Sequence, residues 1–149
     1  MRLKVLLVIL AVLGVLSVAS MAFAHPPGWN ESDWRKFMDA IRTIETGDKA
    51  NGGLGAVGDH YAAIGPYQIH KDCYKDACEY DPTLVKDHKY EDCLKDKEYS
   101  ERVLQAYINR YLPKGGTFED AARIWNGGPK GYKKKSTLGY LAKFKKIFG

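Results

Sequence analysis

The sequence predicts a mostly helical α+β domain with a small loop or hairpin subdomain beside a cleft. Three observations carry that expectation. Apolar residues recur at helical spacing in residues 34–44, 99–111 and 138–148. Residues 51–58 hold four glycines and too few apolar side chains for a helix. No internal repeat and no second domain interrupt the pattern.

Residues 1–24 are expected to be a targeting segment. Arg2 and Lys4 precede an apolar run, and Ala22-Phe23-Ala24 places small residues at a cleavage site. The apolar run is too short to span a bilayer comfortably. Removing 24 of 149 residues leaves 125, beginning at His25, enough for one domain with one core. The expected locations are extracellular, lysosomal or phagosomal.

In the mature part, residues 25–30 read as an extended arm, and Ser32 or Asn30 can cap the first helix. Trp34, Phe37, Met38, Ile41 and Ile44 form its buried stripe, and Gly47 is a C-terminal cap. Gly65-Pro66 marks a turn. A second helix is expected from about His70 to Tyr80, and Pro82 ends it. Residues 81–96 read as mostly loop. Tyr99, Val103, Tyr107 and Tyr111 mark a long helix closed by Pro113, Gly115 and Gly116. Thr117 and Asp120 form a capping box for a short helix that Asn126-Gly127-Gly128-Pro129 breaks. A last helix carries Leu138, Leu141, Phe144 and Phe148, with lysines opposite.

Charge is unevenly distributed. The full chain carries +5, and loss of Arg2 and Lys4 lowers this to +3. No acid follows Asp120, whereas seven lysines do: Lys130, Lys133, Lys134, Lys135, Lys143, Lys145 and Lys146. A basic end suits an anionic partner such as a bacterial surface, or simply keeps the chain solvated. The three cysteines, Cys73, Cys78 and Cys93, predict one disulfide in an oxidising compartment, Cys93 with Cys73 or with Cys78. Such a bridge is worth about 3 kcal/mol in the chain-entropy model.

Two carboxylates stand out. Glu45 lies in the last turn of the first helix, among its apolar residues. Burial and the negative end of the helix dipole both raise its pKa, as a general acid requires. Asp59 follows in the glycine-rich loop, where backbone N–H groups can keep it ionised; Asp48 competes but lies close to Glu45 in sequence. Two carboxyls in contrasting environments are the apparatus of glycoside hydrolysis. A copper site at His25 would need a second nearby histidine, and His60, His70 and His88 show no ligand spacing. No metal and no cofactor are expected.

The stretches IRTIETG (41–47), IGPYQI (64–69), YINRY (107–111) and ARIWNGGPKGY (122–132), in this order, resemble the invertebrate-type lysozymes, or destabilase family. The resemblance implies a lysozyme-like fold and a muramidase that cleaves the β-1,4 bond between N-acetylmuramic acid and N-acetylglucosamine in peptidoglycan. It implies that Glu45 is the catalytic acid and Asp59 the second carboxylate. It implies that Tyr67, Gln68 and Ile69 line the cleft floor, and that Asn126, Gly127 and Gly128 contact sugar from the opposite wall. The chain departs from the family in its few cysteines, in Trp125 where a histidine is usual, and in Ala62 and Ala63 where serine is common. Isopeptidase activity is therefore not expected. The alternatives are a lytic transglycosylase using one glutamate and a non-catalytic cationic module. The expected partner is the bacterial cell wall, with no nucleic acid, no stable membrane insertion after leader removal, and a monomeric chain.

Overall fold

The computed structural model describes residues 25–47 and 49–149; the expected leader and Asp48 lie outside the described residues. Five helices make the body: α1 (Glu31–Thr46), α2 (Lys71–Tyr80), α3 (Lys97–Tyr111), α4 (Phe118–Gly127) and α5 (Leu138–Phe148). None of them is long and apolar enough to cross a membrane.

Helix α1 starts where Asn30 accepts a hydrogen bond from the Asp33 N–H (2.8 Å). Its apolar stripe buries Trp34, Phe37, Met38 and Ile41. It stops at Gly47, whose φ of 68° suits a residue without Cβ and whose N–H bonds the Thr43 carbonyl. Helix α3 lies at the centre, with Val103, Leu104 and Ile108 fully buried. Helix α4 carries the expected capping box, Thr117 and Asp120 bonding reciprocally. The arm reaches the core through Trp29, whose ring lies 3.7 Å from that of Phe118. Phe37, Phe118, Phe144 and Phe148 continue this aromatic cluster between α1, α4 and α5. Each such ring withdrawn from water stabilises the fold by about 1.5–3 kcal/mol.

The loop subdomain contains three two-residue strands, β1 (Val57–Gly58), β2 (Ala63–Ile64) and β3 (Ile69–His70), paired antiparallel in that order. Gly58, Ala63 and His70 form one cross-strand row. The Gly65-Pro66 turn joins β2 to β3 and is pinned from outside. Gly65 has φ +76°, and a Cβ there would lie 1.9 Å from the Cys93 carbonyl oxygen. Beneath the turn, the Tyr67 hydroxyl donates to Glu101 (2.9 Å), a carboxylate also held by Arg35 (3.1 Å) and Lys97 (3.3 Å).

Two expectations are corrected. Residues 81–96 are not plain loop but carry two 3₁₀ turns, Pro82–Val85 and Tyr90–Leu94. Short acidic side chains build both: Asp81 accepts from Thr83 N–H, and Asp92 from Lys89 N–H. The expected disulfide is absent: Cys73, Cys78 and Cys93 are all free thiols. Burial raises the pKa of each, and that of Cys93 to about 12. Thiol–disulfide chemistry runs through the thiolate, which burial disfavours.

The turn geometry makes a quantitative prediction. Gly65→Ala meets both a left-handed backbone and a carbonyl, and is expected to cost about 2–3 kcal/mol or more. Gly52→Ala, with φ +63° but open space around it, is expected to cost about 1 kcal/mol. Urea titration of both variants checks the ordering; equal losses would show that the Cys93 contact does not constrain the turn.

Candidate active site

A cleft of about 260 Å³ runs between the sheet subdomain and the α4 wall, lined by Glu45, Asp59, Ala63, Gln68, His70, Cys73, Trp125 and Asn126. Glu45 enters from the last turn of α1. Its Oε1 accepts a 2.7 Å hydrogen bond from the Tyr140 hydroxyl on α5. Burial holds its carboxyl above the usual range. The Tyr140 hydrogen bond, the nearby Lys143 ammonium and a polar contact from Trp125 pull the other way without cancelling it. The chain thus places a carboxylic acid that resists ionisation at the edge of an open cleft.

Asp59 occupies different surroundings. Its side chain is 66% exposed, and the His70 imidazole approaches it, Nδ1 to Oδ2 4.0 Å. No backbone N–H donates to its carboxylate among the described residues, so the expected cradle is not formed. The backbone holds it instead: Asp59, His60 and Tyr61 have φ of 46°, 52° and 72°. Gln68, across the sheet, has φ 51°. These four are the non-glycine residues with positive φ among the described residues, and two of them line the cleft. Left-handed backbone costs non-glycine residues up to a few kcal/mol and clusters at functional sites.

The remaining expected site residues divide. Gln68 faces the cleft, its amide fixed by the Gly65 carbonyl (2.9 Å). Tyr67 and Ile69 do not line the floor; both have 0% exposure and support it from below. The short strand β3 explains this. Alternation sends Ile69 into the core and His70 to the open face, while Tyr67 reaches inward to Glu101. Asn126 is exposed and lines the wall. Gly127 faces Thr137 instead, and its carbonyl accepts from Lys134 (2.6 Å). Gly128, at φ 83°, ends α4 outside the lining.

Four cleft-lining residues were not anticipated from the sequence as part of the site, Ala63, His70, Cys73 and Trp125, nor was Tyr140, which bonds Glu45. Trp125 precedes the NGG segment, which was a usable signal. Tyr140 lies 95 positions from Glu45, and only the docking of α5 on α1 brings them together. Among the described residues no group of three or more His, Cys, Asp or Glu is placed to hold a metal ion. His25 lies elsewhere, beside Tyr80 and Leu112, and His88 stacks on Tyr99.

The architecture has known relatives. The crystal structure of Aeromonas hydrophila PliI in complex with Meretrix lusoria lysozyme contains a chain that matches at TM-score 0.62 and 27% identity, over 77% of this chain and 90% of that one. Tapes japonica lysozyme matches at TM-score 0.59 and 24% identity, over 76% and 89%. The fold is therefore the mostly helical α+β fold of lysozymes. A curated protein named lysozyme from Magallana gigas is 34% identical over 91 residues, which cover 52% of this chain and 65% of that protein. One from Ostrea edulis is 41% identical over 54 residues, 34% of this chain and 39% of that protein. The chain thus spans just under two thirds of the first oyster protein's length and well under half of the second's. The destabilase family model matches residues 38–147, which include every cleft-lining residue, and the chain belongs to that family.

Proposed function

We propose that this protein is a muramidase that hydrolyses the β-1,4 bond between N-acetylmuramic acid and N-acetylglucosamine in peptidoglycan. In this reading it acts outside the cell, or in a lysosome or phagosome, as a monomer. The observation that carries the reading is the desolvated Glu45 carboxyl facing Asp59 across one open cleft. Homologues named lysozyme support the chemistry.

In this mechanism Glu45 gives its proton to the glycosidic oxygen as the bond to the anomeric carbon breaks. The leaving sugar departs as an alcohol, and the ring gains oxocarbenium character. Asp59 lies on the sheet side, where a carboxylate opposes that positive charge. Glu45, now ionised and held by Tyr140, accepts a proton from the water that adds to the anomeric carbon. Gln68 and Asn126 present amides to the sugar from opposite walls. A cationic binding module would need no buried acid in a cleft. A lytic transglycosylase would release an anhydro sugar, and fragment masses separate that product from the hydrolytic one by one water.

Two variants test the assignment. Glu45→Gln keeps the shape but cannot give the proton, and general acid catalysis contributes about 10²- to 10⁴-fold. Clearing of a peptidoglycan suspension is expected to fall by at least that range, with circular dichroism unchanged. Near wild-type clearing by folded Glu45→Gln protein would overturn the reading. Tyr140→Phe removes the hydrogen bond that favours the ionised carboxyl. The Glu45 pKa therefore rises further, and the alkaline limb of kcat/KM is expected to move to higher pH. A limb that stays in place or moves to lower pH would exclude Glu45 as the group it reports.

A further inference from the structure

Asp59 opposes the charge on the sugar, yet little fixes its carboxylate. The side chain is largely in water and lacks a cradle of backbone donors. The left-handed loop sets its backbone but not its rotamer. His70, another cleft-lining residue, has no task in the reaction as described. Its ring turns to Asp59 from β3, with Nδ1 4.0 Å from Oδ2.

Two features of the chain send the ring there. The first is the cross-strand row of Gly58, Ala63 and His70. Residues in one row share a face of the sheet. Ala63 offers only a methyl and Gly58 no side chain at all. Nothing bulky in the row therefore separates the ring on β3 from the loop that leaves β1 at Asp59. The second is the place of His70 at the start of α2. It is the N-cap residue, with extended backbone (φ −85°, ψ 153°), yet its side chain makes no cap hydrogen bond. A Ser, Thr, Asn or Asp there would accept from a helix N–H and stabilise α2 by about 1 kcal/mol. The chain forgoes that bond and places an imidazole at the cleft instead. The next residue, Lys71, lies over the Tyr90 ring, 5.6 Å from its centroid.

At 4.0 Å the two groups stand beyond hydrogen-bond length. Catalytic hydrogen bonds are commonly long in free enzymes and tighten in the Michaelis complex, and one water bridges a gap of this size. The donor is available: Nδ1 carries a hydrogen in one neutral tautomer and in the imidazolium, while an ionised carboxylate only accepts.

Resting on the hydrolase reading, we propose that His70 is a positioning residue whose Nδ1–H holds the Asp59 carboxylate toward the anomeric carbon. It engages Oδ2 and leaves Oδ1 for the sugar. His70 touches no reacting atom and acts through Asp59. The positive charge that Asp59 opposes develops only in the transition state, so losing this hold lowers kcat and leaves KM in place.

The test is a double-mutant cycle on soluble peptidoglycan fragments. It compares wild type with His70→Ala, His70→Phe, Asp59→Asn and His70→Ala/Asp59→Asn, with thermal melting as the fold control. His70→Ala removes no cap bond, His70→Phe keeps a ring without its N–H, and Asp59→Asn keeps a residue that tolerates left-handed backbone. Both single His70 variants are expected to lose about tenfold in kcat, within the range that a misplaced catalytic group costs. Their KM is expected to stay within about twofold of wild type. In the Asp59→Asn background His70→Ala is expected to change kcat by no more than about twofold, because the group it positions is already gone. Wild-type kcat in His70→Ala or in His70→Phe overturns the proposal. So does a loss confined to KM, which would make His70 a sugar contact, or a loss that returns in full without the Asp59 charge. Asp59→Asn that cleaves like wild type, beside an inactive Glu45→Gln, removes the proposal and leaves the hydrolase reading standing on Glu45. A wild-type chain that cleaves no glycan removes both.

Discussion

The arrangement depends on taking one carboxyl out of water. Burial pushes the Glu45 pKa up, and the Tyr140 hydroxyl, the Lys143 charge and Trp125 restrain it without reversing it. Without burial the acid would lose its proton near pH 4 and could not donate one at neutral pH. Without the Tyr140 hydrogen bond the carboxylate left after donation would rest on Lys143 and Trp125 alone. The same feature costs stability. A carboxyl whose pKa is higher in the folded than in the unfolded state destabilises the fold as pH rises through that interval, and the cost persists above it. The aromatic cluster between α1, α4 and α5 packs Phe37 against Phe144 and so holds α5, which carries Tyr140, on α1.

The opposite wall solves a different problem. Asp59 has no cradle of backbone donors, so its position rests on the loop's conformation. Strained residues persist only where their surroundings over-determine them. Here the pairing of β1 with β2 frames the Asp59–Tyr61 turn, and Gly65, with no Cβ, lets the end of β2 lie close to the Cys93 carbonyl. From below, Tyr67 ties the floor to Glu101, itself bonded to Arg35 and Lys97. The GPYQI segment serves the cleft mostly as scaffold: only Gln68 faces the cavity, and its neighbours hold it there.

The helices were legible from apolar residues recurring at a 3.6-residue period, and α1 and α4 also from caps the sequence displays: Asn30 and Gly47, and Thr117 with Asp120. Glu45 was legible for the same reason, as an acid in the last turn of an apolar helix. Residue roles that depend on tertiary direction were not. Tyr67 and Ile69 read as cleft residues because their motif is adjacent to the site, yet the pleat of β3 turns Ile69 inward and Tyr67 reaches in to Glu101. Gly127 likewise faces Thr137. Tyr140 carries no local signal at all, since its role comes from helix docking across 95 positions. The cysteine count suggested a bridge, whereas the structure holds three free thiols.

The central claim is that the fold holds a proton on Glu45 where a free glutamate would have lost it. Carbon-13 titration of the side-chain carboxyls by NMR, with Glu45→Gln to assign the signal, measures this directly. The expected Glu45 midpoint lies clearly above the value of about 4.3 for a free glutamate and moves higher in Tyr140→Phe. A midpoint at or below 4.3 would contradict it.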